Sequence, residues 1–245
     1  MIDTPHVIGA ASFQDAWVAA ARHLRQNHWV VRNLVVQVCN PTVFQQPLHD
    51  RVSAFARTVK ALGPKHVAYT IFPHGLCAKC ATAEKLYHSY NRPKGVCERL
   101  VRRSDNRWGT YFQRLTAYPT SNGTVNQLDK IIAAIRSDPN TFSAAFTMVI
   151  QKPGGETTRR LGGPCLNYVA VQLDAGPPFT LGLLCTYRNH DFLERAYGNY
   201  WGLCNLLRFM ADETGAQPGP LTCISSHAFV DKHKNDLKTL LDSLP

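Results

Sequence analysis

The chain has 245 residues, is 44% hydrophobic and carries a formal net charge of +10, so it can bury one large core and favours anionic partners. Met1 to Ser12 lacks the basic flank and apolar run of a secretory signal, and no stretch approaches the roughly 18 uninterrupted apolar residues of a membrane span. A soluble, cytoplasmic protein with one domain over residues 1–245 is therefore expected, with its eight cysteines reduced. The basic residues are scattered, with only Arg102-Arg103 and Arg159-Arg160 adjacent, so nucleic acid, a nucleotide phosphate and a solvated basic surface all fit the charge, and nucleic acid has no support beyond it.

Ser12, followed by Asp15, reads as the N-cap of a first helix over Phe13 to Gln26, where Trp17, Val18, Ala21 and Leu24 recur at helical spacing. Valine-rich Trp29 to Val38 predicts a strand ending at Cys39-Asn40-Pro41, and Val52 to Leu62 a helix stopped by Gly63-Pro64. Phe72 to Arg107 is mixed and polar and predicts short helices and loops. Thr124 and Gln127 form a capping-box pattern before Leu128, Ile131, Ile132 and Ile135, in a helix that Asp138-Pro139 ends. Strands are predicted at Ser143 to Ile150, Leu166 to Leu173 and Phe179 to Tyr187, the first two joined by the loop Gly154 to Gly163. A long helix capped by Asn189, with Asp191 and Glu194 at its positive end, is predicted to run to about Glu213 before Gly215. A strand at Leu221 to Ile224 and a helix over Asp231 to Leu241 close the chain, giving an α+β pattern: a mixed sheet packed with helices.

Cys165 opens a predicted strand directly after Gly162-Gly163-Pro164, on a turn where its sulfur can face a pocket. A cysteine is a strong nucleophile only as thiolate and needs positive charge nearby, for which Arg159, Arg160 and Arg188 are the candidates. Taken alone, such a cysteine is more often buried and inert. Cys77-x-x-Cys80 has zinc-ligand spacing, and Cys97 or His74 would complete a tetrahedral set. A complete zinc ribbon would carry a second pair, so unligated thiols are expected there. Trp17, Trp29 and Trp201 read as core, whereas Trp108, close to Tyr111, is the tryptophan expected to line a pocket.

From Trp108 to about His233 the chain resembles the thymidylate synthase and pyrimidine-nucleotide hydroxymethylase superfamily. That family has a Pro-Cys nucleophile, then Arg-Ser-x-Asp and an asparagine. This sequence reads Pro164-Cys165, then Arg188-Asn189-His190-Asp191, then Tyr197-Gly198-Asn199, with the eight-residue step from Asp191 to Asn199 kept. Ser226-His227-Ala228-Phe229 stands where the family has His-x-Tyr, and Gly109-Thr110-Tyr111 with Ala117-Tyr118-Pro119 where it has Gly-x-x-Tyr and Ala-Trp-Pro.

The resemblance implies a thymidylate-synthase-like fold, a homodimer, and transfer of a methyl or hydroxymethyl group from 5,10-methylenetetrahydrofolate to C5 of a pyrimidine nucleotide monophosphate. Cys165 would add to C6. Arg188 and Asn189 would bind phosphate, Asn199 would read the edge of a uracil-type base, and His227 would hold the sugar. Tyr111 would help move the C5 proton, and Asp191 would orient the pterin.

The sequence also departs from the pattern. Phe229 replaces the tyrosine that contacts the sugar, so the sugar is open. The paired arginines lent by the family's partner subunit are Phe142-Ser143 here, and Arg159-Arg160 could take over their role or lie in a solvated loop. Val67 to Phe72 has no counterpart of the family's early glutamate, Arg195 replaces a glycine beside the folate site, and Pro245 comes before the family's closing tail. These departures weigh against reductive methylation in particular and leave pyrimidine binding intact.

Overall fold

The strand patterns converge on one mixed sheet, and the order of its strands decides which loops meet at its end. A computed structural model describes residues 4–104, 108–138, 146–156 and 162–244. The first elements are β1 (His6–Ala10), α1 (Phe13–Gln26), β2 (Val30–Val38), α2 (Gln46–Thr58), α3 (Pro64–Ile71) and α4 (His74–Cys77). Then come α5 (Ala83–Asn91), α6 (Val96–Ser104), α7 (Tyr111–Thr116), β3 (Tyr118–Thr120), β4 (Gly123–Val125) and α8 (Gln127–Ser137). The chain continues through β5 (Thr147–Val149), β6 (Leu166–Asp174), β7 (Thr180–Tyr187), β8 (His190–Asp191), α9 (Ala196–Thr214), β9 (Gln217–Phe229) and α10 (Lys234–Ser243).

β3 and β4 form a small hairpin, while the other strands make a seven-stranded sheet ordered β1, β2, β9, β7, β6, β5, with β8 beside β9. β9 runs antiparallel to β2 and parallel to β7, and β7 runs antiparallel to β6. This is the expected α+β architecture, a mixed sheet packed with helices, and it is consistent with a thymidylate-synthase-like fold. α1 and α9 cover one face of the sheet. Leu34, Val36, Leu183, Cys185, Leu221 and Cys223 alternate inward from the strands, as a half-buried sheet requires.

Ser12 caps α1 as predicted, its Oγ accepting the Asp15 N–H at 3.1 Å. α9 is apolar on nearly every side because it is enclosed between the sheet and α3. Its approach to α3 depends on glycine. A Cβ added at Gly198 would lie 2.5 Å from Val67 Cβ, and one at Gly202 would lie 2.8 Å from Ala68 O. The close approach sets Val67 and Thr70 of α3 opposite Asn199.

Several elements differ from expectation. The helix predicted from Asn189 begins only at Ala196, because His190 and Asp191 pair with Ala228 and Phe229 as β8. Asp191 Oδ1 then accepts the N–H groups of Leu193 and Glu194, at 2.9 and 3.0 Å, and so turns the chain toward α9. Gly215, at φ 72°, ends α9 as expected.

Gly63-Pro64 starts a helix rather than ending one, since proline fits the first turn of α3; α2 runs from Gln46, ahead of the predicted Val52, only to Thr58, short of the predicted Leu62. The cap of α8 is Asn126, which accepts Asp129 N–H at 3.0 Å, and not Thr124, which lies in β4. Gln127 instead spans to β5, pairing with both the N–H and the carbonyl of Val149.

The strand predicted over Leu221 to Ile224 extends from Gln217 to Phe229, since pairing on both sides overrides Pro218 and Pro220. β1 was not anticipated; it pairs parallel to β2. Of the strand predicted over Ser143 to Ile150, β5 is the described part, and residues 139–145 lie outside the described residues.

Candidate active site

The sheet order gathers one end of three strands. Leu166, at the start of β6, pairs with Tyr187 at the end of β7, and Tyr187 pairs with Ser225 of β9. Cys165 immediately precedes β6 and Arg188 immediately follows β7, so nucleophile and motif meet across a single strand pair. The following turn carries Asn189, His190 and Asp191 over the same end of the sheet.

α9 adds Asn199, α7 adds Tyr111, and α3 adds Val67 and Thr70. Together with Trp108, Gly162, Gly163, Cys165, Arg195 and Phe229, these residues line a cavity of about 310 Å³. That is near the lower end of small-molecule sites, which span roughly 300–1,000 Å³.

The nucleophile turn is tied down through its backbone. Cys165 N–H donates to Tyr111 Oη at 3.3 Å, Arg188 N–H donates to Cys165 O at 2.9 Å, and Arg188 Nε donates to Pro164 O at 3.0 Å. Burial pushes the Cys165 thiol up, Arg188 and then Arg195 pull it down, and Asp191 pushes it up. Thiolate formation therefore depends on the two arginines. Burial, and after it the neighbouring Cys165, push the Tyr111 phenol far up, so it keeps its proton at neutral pH.

The Trp108 side of the cavity is braced from α7. Arg114 Nη2 forms a buried ion pair with Glu156 Oε1 at 2.5 Å and donates to Trp108 O at 2.9 Å. Glu156 Oε2 accepts Lys152 N–H at 2.7 Å, which ties the segment 152–156 to the helix that carries Tyr111.

The opposite wall is a chain of side-chain contacts. His190 Nδ1 lies 2.9 Å from Ser225 Oγ, and His190 Nε2 lies 3.1 Å from Asn199 Nδ2. The imidazole stacks on Tyr187 with centroids 4.0 Å apart and planes 3° from parallel. Burial lowers its pKa to about 3, so the ring is neutral. Asn189 does not cap a helix: its Oδ1 accepts from His227 Nδ1 at 2.5 Å, and His227 stacks on Phe229 with centroids 5.1 Å apart.

Of the residues singled out from the sequence, Cys165, Tyr111, Asn189, Asp191 and Asn199 share the cavity wall, and Trp108 joins them. Arg188 stands behind the nucleophile and His227 behind Asn189; neither lines the cavity. Arg159 and Arg160 lie outside the described residues.

Sequence reasoning overlooked His190 and Ser225. His190 was signalled by its place between Asn189 and Asp191, but Ser225 carried no signal. Arg195, noted only as a departure, lies in the wall. The cysteines at 77 and 80 are not joined by Cys97, which is buried with Sγ 3.7 Å from Thr110 Oγ1. Among the described residues no three His, Cys, Asp or Glu side chains are grouped to hold a metal. None of the described helices is long and apolar enough to cross a membrane.

Fold and cavity together define a mixed-sheet α+β protein with a cysteine at a strand start facing a polar, ligand-sized site. No family model matches the chain. It is 30% identical over 128 residues to a Methanosarcina barkeri protein named "Putative thymidylate synthase", an alignment covering 52% of this chain and 55% of the relative. Proteins of the same name from Methanosarcina mazei, over 128 residues, and Methanocaldococcus jannaschii, over 132 residues, are likewise 30% identical. The chain spans a little over half the length of these curated relatives, 55–58%.

Proposed function

We propose that the protein is a single thymidylate-synthase-like domain that transfers a one-carbon group, methyl or hydroxymethyl, to C5 of a pyrimidine nucleotide monophosphate, with a uracil-type base favoured. The observation that carries this reading is the convergence of Cys165, Tyr111, Asp191 and Asn199 on one cavity from four separate elements. Their order along the chain parallels the thymidylate synthase pattern, and the relatives' names point the same way.

Cys165 as thiolate adds through Sγ to C6, and the electron pair of the C5–C6 double bond makes C5 nucleophilic. After C5 has gained its substituent, Tyr111 helps carry the C5 proton away, the double bond re-forms and Sγ leaves C6. Arg188 lowers the thiol and, with Asn189, is assigned to the phosphate. Arg159 and Arg160 extend that assignment. His227, through Asn189, is assigned to the sugar, and Phe229 offers it no hydroxyl.

The Asp191 carboxylate fits the pterin end of a folate, since it accepts hydrogen bonds and shares the wall with Cys165. When bound, 5,10-methylenetetrahydrofolate would supply a one-carbon unit at the oxidation level of formaldehyde, which water completes to hydroxymethyl, or which a hydride from the tetrahydrofolate, left as dihydrofolate, reduces to methyl. A homodimer agrees with the sheet face turned away from α1 and α9, where Val35, Leu184, Ile224 and Tyr168 are only half-buried. A cytoplasmic setting goes with nucleotide chemistry.

A second reading keeps Cys165 and dispenses with folate. It is favoured by Arg195 in the wall beside Asp191, whose Oδ1 already serves two backbone N–H groups.

Uridine and cytidine nucleotides, ribo and deoxy, tritiated at C5 and incubated with and without methylenetetrahydrofolate, separate the readings. Tritium release to water that falls to background in Cys165→Ala, since the addition to C6 needs the sulfur, is the expected result. Folate dependence selects the first reading and independence the second. Binding without release from any nucleotide would sink both and leave a non-catalytic binder.

A further inference from the structure

The two ends of the Asn199 amide are treated differently. Asn199 is 3% exposed and lines the cavity. Its Nδ2 meets His190 Nε2 at 3.1 Å, whereas its Oδ1 is buried with no hydrogen-bond partner among the described residues. His190 is 1% exposed, and its other nitrogen meets Ser225 Oγ.

A neutral imidazole has one N–H and one acceptor nitrogen, so its tautomer and the orientation of the amide are a single choice. With Nδ1–H donating to Ser225 Oγ, Nε2 is left as an acceptor that only the NH₂ end of Asn199 satisfies. Turning the amide over would set the Oδ1 lone pairs against that of Nε2 in a buried site of low dielectric. The stacked Tyr187 ring fixes the imidazole plane. Ser225 is fixed by its place in β9, paired with Leu34 on one side and Tyr187 on the other.

We propose that His190, held by Ser225, is the positioning residue that orients the Asn199 amide with its carbonyl oxygen toward the ligand, so that the cavity selects a ring presenting an N–H there. The proposal rests on the reading of this cavity as a pyrimidine-nucleotide site. In a uracil-type ring N3 carries a hydrogen and donates to Oδ1. In a neutral cytosine N3 is itself an acceptor, and two lone pairs would face each other in a buried site. A site built to pair with a donor rejects the analogue that lacks it, because the buried acceptor is then left unpaired. The discrimination lies two residues away from the base, since His190 reaches the ligand only through Asn199.

Calorimetric titration of the full chain with uridine and cytidine 5′-monophosphates, each in its ribo and deoxy form, beside imidazole ¹⁵N spectra of the ligand-free protein, tests this. The unaltered protein is expected to prefer the uridine nucleotide at least tenfold, with the His190 proton on Nδ1. His190→Phe keeps the stacked ring but removes both nitrogens. It is expected to lower that preference to within about threefold, chiefly by admitting cytidine nucleotide.

Ser225→Ala provides the same test should the phenylalanine variant not fold, and its His190 spectrum should show mixed tautomers. A preference unchanged in a folded variant, or a preference for cytidine in the unaltered protein, overturns the selectivity. A ring protonated on Nε2 overturns the positioning whether or not nucleotides bind. Failure of all four nucleotides, ribo and deoxy, to bind the unaltered protein instead overturns the nucleotide reading, and the selectivity with it, while the spectrum still decides the orientation of the amide.

Discussion

The two walls of the cavity are built on different principles. The nucleophile wall is held by backbone hydrogen bonds around Pro164 and Cys165, and the charge on its sulfur is set by half-buried arginines and Asp191. The base-reading wall is a fully buried relay from Ser225 through His190 to Asn199, carrying no net charge. Reactivity at the first wall can thus be tuned by single charges at little cost to the fold. Selectivity at the second is fixed by geometry, and disturbing it disturbs the core.

The largest effect that sharpens this contrast is expected where the nucleophile wall does reach the core, at the ion pair between Arg114 and Glu156. Glu156→Gln leaves a buried guanidinium uncompensated and should cost about 3 to 5 kcal/mol in denaturant unfolding. Replacing both partners with methionine should cost far less. Equal losses in the single and double variants would show that the pair does not brace the loop by its charge.

Next in size is the acid response of the base-reading wall. His190 has its folded pKa depressed to about 3 from 6.5, so its neutral form belongs to the folded state. The unfolded chain takes up the proton first as pH falls, and stability contributed above about pH 6.5 is lost progressively toward pH 3. Between pH 7 and pH 4 the loss should be on the order of 3 kcal/mol relative to His190→Phe. Parallel stability curves for the two proteins would contradict a neutral buried imidazole.

The smallest effect concerns charge at the sulfur. Removing Arg195 deletes one of the two cations that lower the Cys165 thiol, so Arg195→Gln should shift its alkylation profile to higher pH and slow alkylation at pH 7. Asp191→Asn should shift the profile the other way. Unfolding midpoints should change little in the arginine variant. If they fall as far as in Glu156→Gln, the distinction between the two walls fails.

Legibility in the sequence followed how local the determining forces are. The α1 cap at Ser12, the apolar runs of β6 and β7 and the glycine ending α9 are written in neighbouring residues, and they fold as read. The motif residues Cys165, Asp191 and Asn199 stand out by type and spacing. The helix α3 was obscured because Pro64, read as a stop, is its start, and α4 to α6 were legible only as short helices and loops because the polar stretches between them carry weak periodicity. β8 was obscured because Asn189 and Asp191 look like helix caps, whereas the pairing that recruits His190 and Asp191 lies on β9, far along the chain.

By itself the sequence determined the α+β class, the cysteine at a strand start and the order of the residues assigned to a nucleotide. The tertiary structure decided which of them share a wall: Arg188 behind the sulfur, His227 behind Asn189, Arg195 in the cavity, and Ser225 linked through His190 to Asn199. The reason is physical. Residue type and spacing along a chain fix local geometry and chemistry, but a hydrogen-bonded relay between a strand, a turn and a helix exists only once the sheet has brought them into register.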